Sequence, residues 1–481
     1  MSLNSNLILF SNNLAINAGN VVVPISQGGT NATNAVVALN NMSYLPGSTG
    51  AVARSATAKL SDWVSVKDFG AVGNGTTDDT SAVQAAINAG GSIYFPPGTY
   101  KLSSQITYTM PTTVTSINIF GAGAEQTQLV WAAGGGMRIN HIGQYNSSHV
   151  RDLCFMTGSS NVGGGLLLNQ NATTISNPAN SAVSDVTNCT FRGSDNYANT
   201  YYWSYGVGCL GVSNVNFQGV DVVSSSTSLG IGVVLQGTSS CNSVVYNFQS
   251  CIFNYTIYGI DYGTYVQGVS VNQCNFTGGQ YGIITLSSLS GLDQLIVSNT
   301  QFETTIAGIQ TATFIPNTII NSNLFLVGLA ANGVGINLLQ AGLYSIIGNT
   351  FNPVGTPTSA VGIQISTTTS SYTGSIVGNV LFGMTGAGIN LGAGANHILI
   401  ESNVYLTNGV NVQNAGTNNL IYDGGYVYTV SILPTANNYP YTRTFVSDAA
   451  VAPLGNFGNI VVGGGSNKAP VFSDGTNWRI G

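Results

Sequence analysis

The sequence predicts an all-β chain wound as a right-handed, single-stranded parallel β-helix. Three observations carry that prediction: a short aromatic-ended segment that recurs along the chain, a Gly-Ile segment that recurs with it, and polar residues that fall at one phase of the repeat. The composition agrees. Of 481 residues, 43% are apolar and only 5% are Asp, Glu, Lys or Arg, against roughly 25% charged in ordinary soluble domains. A disordered chain would lack the many Ile, Val, Phe and Tyr found here.

The first motif reads VRDLCF ending at Phe155, VTNCTF at Phe191, VSNVNF at Phe217, FQSCIF at Phe253 and VNQCNF at Phe276. It continues as VSNTQF at Phe302, INSNLF at Phe325, IIGNTF at Phe351, IVGNVL at Leu381 and IESNVY at Tyr405. Spacings run from 23 to 36 residues, a baseline with insertions, as expected of a solenoid. The second motif reads GIDY at Gly259, GIIT at Gly282, GIQT at Gly308, GINL at Gly335, GIQI at Gly362 and GINL at Gly388. Both segments alternate apolar and polar residues, so both are strands. No helical pattern lies between them.

Coils of a parallel solenoid stack about 4.8 Å apart, so residues at one phase form columns. Two positions before the aromatic stand Cys189, Val215, Cys251, Cys274, Thr300, Asn323, Asn349, Asn379 and Asn403. The four asparagines predict a hydrogen-bonded run along the stack. Phe95 and Phe120 extend the aromatic series toward the N-terminus. The six cysteines show no CxxC and no zinc spacing, so they are expected as small buried residues.

Three further regions complete the layout. At 61–425 the β-helix opens with a segment, Val64–Ser104, in which Asp78 or Asp79 caps a short helix near residues 80–89. Ala82, Val83, Ala86 and Ile87 form its apolar face, fit to plug the open end of the solenoid. Residues 1–60 are too few for much of a core. Residues 426–481 read as a β-rich C-terminal region, where Ser473-Asp474-Gly475 is a turn between PVF and NWRI and Trp478 packs.

The Val64–Ser104 segment resembles the opening of the pectate-lyase-like β-helix superfamily, which includes phage tailspikes, polygalacturonases and related carbohydrate-active proteins. Family members often carry Asp where this chain has Asn74. PISQGGTNATNAVVALNNM, Pro24 to Met42, resembles the Gly-Gly-Thr element of phage tail fibre proteins, with a short helix at Ala35–Leu39. The ending GGGSNKAPVFSDGTNWRIG is similar to those of phage tail appendage proteins. These resemblances imply a tailspike-like homotrimer in the virion, attached to phage tail or baseplate proteins through residues 1–60, with residues 426–481 as a trimerisation or tip region. They imply action outside the cell, on a host surface polysaccharide. The polygalacturonase branch carries clustered Asp residues and a Gly-His-Gly element. This chain has neither, and His141, His149 and His397 stand isolated.

Charge narrows the partners. The net charge is −6, with no Lys/Arg cluster, which disfavours nucleic acid and anionic membrane. No apolar run is long enough to span a bilayer. MSLNSNLILF lacks the cations and the apolar length of a secretory signal, so release by lysis is expected. No metal constellation and no cofactor motif is present.

Glycan hydrolysis needs two carboxylates; a lyase needs a base and a cation for the enolate. Phe191-Arg-Gly-Ser-Asp195 and Phe217-Gln-Gly-Val-Asp221 share one pattern, which places Asp195 and Asp221 on neighbouring rungs as a candidate catalytic pair. Arg192 beside them can bind an anionic sugar or neutralise the pair. The insertion NYANTYYWSYG offers Tyr197, Tyr201, Tyr202, Trp203 and Tyr205 as a sugar platform. Asp261 aligns with Gln310, Asn337, Gln364 and Asn390 in an outward polar ladder that can line a neutral sugar groove. Both aspartates can equally cap turns, and the aromatic loop can equally pack between subunits. A depolymerase, more in keeping with hydrolysis than with a lyase, a non-catalytic adhesin and a structural tail fibre subunit all remain open, since fold does not separate them.

Overall fold

The computed structural model describes residues 15–17, 20–22 and 35–481, except 173, 226, 228, 341, 367–372 and 424. The Gly-Gly-Thr element therefore lies outside the described residues. The expected helix after it is present as Ala35–Asn41.

From Val64–Ser65 to Leu420–Ile421 the chain is a right-handed parallel β-helix with three faces. One face, here called C, is a 14-stranded parallel sheet. Faces A and B are continuous with each other in a 23-stranded sheet. Face A holds the aromatic motif, as in Thr190–Gly193, and face B the Gly-Ile motif, as in Tyr258–Tyr262.

The two motifs are two halves of one packing problem. Along face A the inward column runs Tyr100, Leu129, Phe155, Phe191, Val222, Phe253, Phe276, Phe302, Phe325, Phe351, Leu381 and Tyr405, each in register with the next. From Phe253 to Phe351 the rings stack with centroids 4.8–4.9 Å apart, the rung spacing itself. Each ring presses on the glycine of the preceding Gly-Ile strand. A Cβ on Gly308 would lie 2.7 Å from the Phe325 ring, and one on Gly335 would lie 2.6 Å from Phe351. The glycine is required by close approach.

The turn from face C into face A explains the residues before the aromatic. A residue with positive φ recurs there, among them Asn188, Ser250, Gln273, Asn299, Ser322 and Ser402, with Gly348 and Gly378 in the same place. This left-handed position favours Gly, Asn and other small polar residues. The next residue turns inward. Backbone N–H groups donate one rung along: Cys274 to Thr300 Oγ1 at 3.2 Å, Thr300 to Asn323 Oδ1 at 2.9 Å, and Asn323 to Asn349 Oδ1 at 3.0 Å. Asn349 donates to Asn379 and Asn379 to Asn403, both at 2.9 Å. The Asn403 N–H ends the run on Asp423 Oδ2 at 2.6 Å. All four asparagines are buried. Their amide nitrogens are also spent, for instance Asn379 Nδ2 on the Ile346 carbonyl, so the column is fully bonded and tolerable in a core.

Three sequence expectations are corrected. Phe217 is not in the face A column: it lies on face C, stacked on Phe248 at 4.5 Å. Val222 takes its place on face A, and Val220, not Val215, precedes it in the inward-turn series. Phe95 and Phe120 also belong to face C strands.

The helix Thr80–Ala89 buries Val83, Ala86 and Ile87, with Ala82 partly covered, at the N-terminal end of the solenoid. Asp78 accepts from the Thr80 N–H at 3.0 Å, as a cap does. Asp79 instead braces the preceding loop, accepting from the Val72 and Gly73 N–H groups. All six cysteines are free and buried. Beyond the solenoid, Arg443–Ala449, Asn467–Ser473 and Trp478–Ile480 form an antiparallel sheet, with the 473–475 turn held by Asp474 and Trp478 packed. Among the described residues no helix is long and apolar enough to cross a membrane.

Candidate functional site

The outward surface of face A should be wet, yet between Cys154 and Val223 it is not. Cys154, Met156, Thr190, Arg192 and Val223 point away from the core in alternation with the inward column, and all are buried. The insertion between Gly193 and Tyr205 roofs this stretch. Asp195 organises the loop: its Oδ2 accepts from the Thr200 N–H at 2.7 Å and the Tyr201 N–H at 2.9 Å. Asn196, Tyr197 and Asn199 adopt positive φ in the same loop.

Under the roof lies Arg192, with 5% of its side chain exposed. A guanidinium at that depth needs an anion, and it has one. Its Nη2 donates to Glu125 Oε2 at 2.9 Å, and its Nη1 to the Gly193 carbonyl at 3.1 Å. The Tyr197 ring covers it, 4.4 Å from the guanidinium carbon to the ring centroid, a cation–π contact. The Tyr197 hydroxyl donates to Glu125 Oε1 at 3.0 Å. Glu125 and Tyr197 are both half-exposed, so the cluster opens to solvent at its rim.

Asp221 sits at the edge of the same cluster. Its strand places it in register between Thr190 and Ile252. Burial pushes its carboxyl up to about 6; the Glu125 carboxylate pushes the same way, and Arg192 opposes both. Its Oδ1 is buried with no hydrogen-bond partner. A carboxyl held near neutrality beside a second carboxylate is the arrangement in which one group donates a proton and the other stays ionised.

The two aspartates singled out in the sequence do not share a phase. That expectation rested on equating Phe191 with Phe217, whereas Phe191 is in register with Val222. Asp195 belongs to the roof and Asp221 to the strand beneath. The carboxylate that the fold brings into Arg192's company is Glu125, from the turn before Thr127–Trp131, 67 residues away in sequence. No repeat position marks it, and its only sequence signal is the scarcity of acids.

The aromatic insertion divides. Tyr197 and Tyr201 are exposed; Tyr202 and Trp203 are buried. Trp203 donates from Nε1 to the Phe155 carbonyl at 3.1 Å and meets Trp131 edge-on at 5.8 Å. Its ring fills space and offers no face to a sugar. Tyr205 stands on the outward side of face B, in one column with Ile231, Tyr258 and Tyr281. Asp261 is on the same face, between Val234 and Ile284, and burial pushes its carboxyl up to about 6.

The histidines are not all isolated. His149 is bonded through Nδ1 to Asp185 on face C, which raises its pKa. His141 bonds Ser148 at 2.7 Å and is pushed down to about 4 by burial. Among the described residues no three His, Cys, Asp or Glu side chains converge as a metal site would require. A cavity of about 700 Å³ lies far along the chain, lined by residues such as Tyr422, Tyr426, Arg443, Phe445, Phe457 and Phe472. It holds no carboxylate pair, and Asp423 on its wall already accepts from Asn403 and Tyr405.

Comparison with known proteins gives three findings. Residues 63–343, more than half of the chain, match the family described as "Rhamnogalacturonase A/epimerase, pectate lyase-like". Mannuronan C5-epimerase AlgE2 of Azotobacter vinelandii is 44% identical over 69 residues, which is 13% of this chain and 7% of the epimerase. The chain thus matches only a small part of that curated relative. Tailspike protein 3 of bacteriophage CBA120 superimposes with a TM-score of 0.56 at 15% identity, over 92% of this chain and 73% of that one. The tailspike of E. coli bacteriophage HK620, as a double mutant, gives 0.54 at 14% identity, over 79% and 72%. At such identities the likeness is one of fold.

Proposed function

The chain belongs to the rhamnogalacturonase A/epimerase, pectate lyase-like family, and on that premise we propose that it is a tailspike-like receptor-binding protein that hydrolyses a host surface polysaccharide, capsule or O-antigen. It works as a homotrimer in the phage tail, with residues 1–60 docked on tail or baseplate proteins. The tailspike fold of the solenoid and the tail-protein character of both chain ends support that setting.

The observation that carries the chemistry is the pairing of Asp221, held near neutrality, with Glu125 across Arg192. Asp221 in its acid form protonates the glycosidic oxygen as the bond to the anomeric carbon breaks. Water attacks that carbon, Glu125 takes up its proton, and one water is consumed per bond cleaved. Arg192 pairs with Glu125 at 2.9 Å, and Tyr197 and Tyr201 supply exposed rings at the rim. Asp195 shapes the loop through the Thr200 and Tyr201 N–H groups. A second reading, a non-catalytic adhesin, is favoured by one feature: Glu125 already spends both oxygens on Arg192 and Tyr197.

The test is reducing-end release from purified host surface polysaccharide. The wild type and Asp195→Asn are expected to release ends; Asp221→Asn and Glu125→Gln are not. Binding without release by the wild type makes the protein an adhesin. Release accompanied by an unsaturated product makes it a lyase.

A further inference from the structure

The insertion between Gly193 and Tyr205 is fastened at its two ends and only lightly between them. At the start, the Ser194 N–H donates to the Thr157 carbonyl at 2.9 Å. At the end, the Tyr202 N–H donates to the Ser159 carbonyl at 3.1 Å, Ser160 Oγ donates to the Thr200 carbonyl at 2.7 Å, and Tyr202 and Trp203 are buried. Between these anchors Asn196, Tyr197 and Ala198 are exposed. Among the described residues the tip, 195–199, is bonded to the solenoid wall through one side chain. That is Tyr197, with its hydroxyl on Glu125 at 3.0 Å and its ring over Arg192. It holds this position with a φ of 62°, a left-handed conformation that a bulky residue seldom adopts, so the closed tip carries strain.

What the tip covers is polar and incompletely bonded. Arg192 Nε and Asp221 Oδ1 are buried with no hydrogen-bond partner, as is Asp195 Oδ1 in the roof itself. An unmet buried donor or acceptor costs free energy, and native interiors seldom leave several together. A hydroxyl both donates and accepts, so a hydroxylated ligand entering under the tip can meet these atoms. With the tip down it cannot reach them. Glu125 then has both oxygens engaged, and the Arg192 side chain is only 5% exposed.

We propose that residues 194–201 form a lid that the ligand displaces, and that Tyr197 is the positioning residue that latches it over Glu125 and Arg192. The inference rests on the function proposed above and adds how access to that site is controlled. Lifting the tip breaks the Tyr197–Glu125 hydrogen bond and the ring contact with Arg192, and no covalent bond changes. One oxygen of Glu125 comes free, and Arg192 Nε and Asp221 are uncovered. Asp195 travels with the lid, since its bonds run to Thr200 and Tyr201. A latch has a consequence that a ligand contact does not. Where only the open form takes ligand, the apparent Kd is the intrinsic Kd divided by the open fraction. Removing the latch bond raises that fraction and tightens binding, whereas removing a contact to the ligand weakens it.

The chain carries its own reporter. Cys154 lies under the same roof, and burial pushes its thiol up to about 12, where it reacts slowly. The test compares full-length wild type with Tyr197→Phe in two measurements: labelling of Cys154 by an aryl disulfide, located by peptide mass spectrometry, and the Kd for purified host surface polysaccharide. Tyr197→Phe is expected to label Cys154 about fivefold faster, the size of one ordinary hydrogen bond, with the core thiols Cys189 and Cys251 unchanged. The Kd is expected to fall by the same factor. Labelling of Cys154 in step with Cys189 and Cys251 means that the roof opens only when the chain unfolds, and overturns the lid. Unchanged labelling with weaker binding makes Tyr197 a contact of the bound polymer and overturns the latch, leaving the polysaccharide function standing. Faster labelling with an unmoved Kd takes the ligand elsewhere and overturns the control of access. Absence of binding by either chain overturns the proposed function, and the labelling rates alone then decide the latch.

Discussion

The coils before Ile231 and those from Tyr258 onward share one backbone but solve different problems. The early coils carry every solenoid cation, a roofed arginine, long insertions and an interrupted inward column, in which Leu129 and Val222 break the run of rings. The later coils carry no Lys or Arg, and their rings run unbroken from Phe253 to Phe351 before Leu381 interrupts them. They stack phenylalanine on phenylalanine and asparagine on asparagine. The later coils repeat one packing unit, and the irregular coils stacked on them hold the buried arginine and the raised Asp221 carboxyl. Loops that carry function on a stable scaffold follow the same division.

The sharpest way to break the comparison is at the asparagine column. Asn379→Leu keeps the branching at Cγ, with more bulk, and leaves the Asn349 N–H and the Ile346 carbonyl without their bonds. A loss of about 3–5 kcal/mol is expected from several unmet buried groups, read as a lower urea midpoint. Asp195→Asn in the early loop is expected to cost below about 1 kcal/mol, since it keeps an accepting oxygen. Equal losses would erase the distinction between column and loop.

Next in size is the glycine–phenylalanine contact. Gly308→Ala drives a methyl to 2.7 Å from the Phe325 ring and 2.8 Å from the Gly335 carbonyl. About 1–3 kcal/mol of destabilisation is expected. Phe325→Leu in the same chain should recover part of it, a coupling that a double-mutant cycle measures.

The early coils make their own prediction through pH. The native pKa of Asp221, about 6, lies above its unfolded value. The native state therefore binds the extra proton, and stability falls as pH rises from about 4 to about 6, then levels. Asp221→Asn should be indifferent below about pH 4 and stabilising by roughly 1–3 kcal/mol above about pH 6. Urea unfolding at pH 4 and pH 8 reads the difference, and a variant less stable at pH 8 contradicts the assignment. A small effect is expected of Tyr197→Phe. It removes one rim hydrogen bond to Glu125 and costs about 0.5–1.5 kcal/mol, with the cation–π cover retained.

How much of this was legible in the sequence follows the same division. In the later coils, the Asn and Phe motifs gave register, turn position and inward side together, because each rung repeats its neighbour. In the early coils the same logic misplaced Phe217. VNFQ and YNFQ on face C also alternate and also carry a stacked aromatic pair, Phe217 with Phe248. A local pattern reports that a strand has an inward ring but not which face it joins. That single slip put Asp195 and Asp221 in one phase. The roles of Tyr202 and Trp203 were hidden for a related reason: in an irregular loop, sequence has no periodicity to separate inside from outside. Glu125 was invisible because it reaches Arg192 across the coil between them, a contact that depends on the completed stack.

The assignment of the early coils is tested most directly by steady-state cleavage of a host surface polysaccharide, comparing Asp221→Asn with the wild type. The account predicts that Asp221→Asn lowers kcat by about 10²- to 10⁴-fold with polymer binding retained. Undiminished turnover by Asp221→Asn would contradict it.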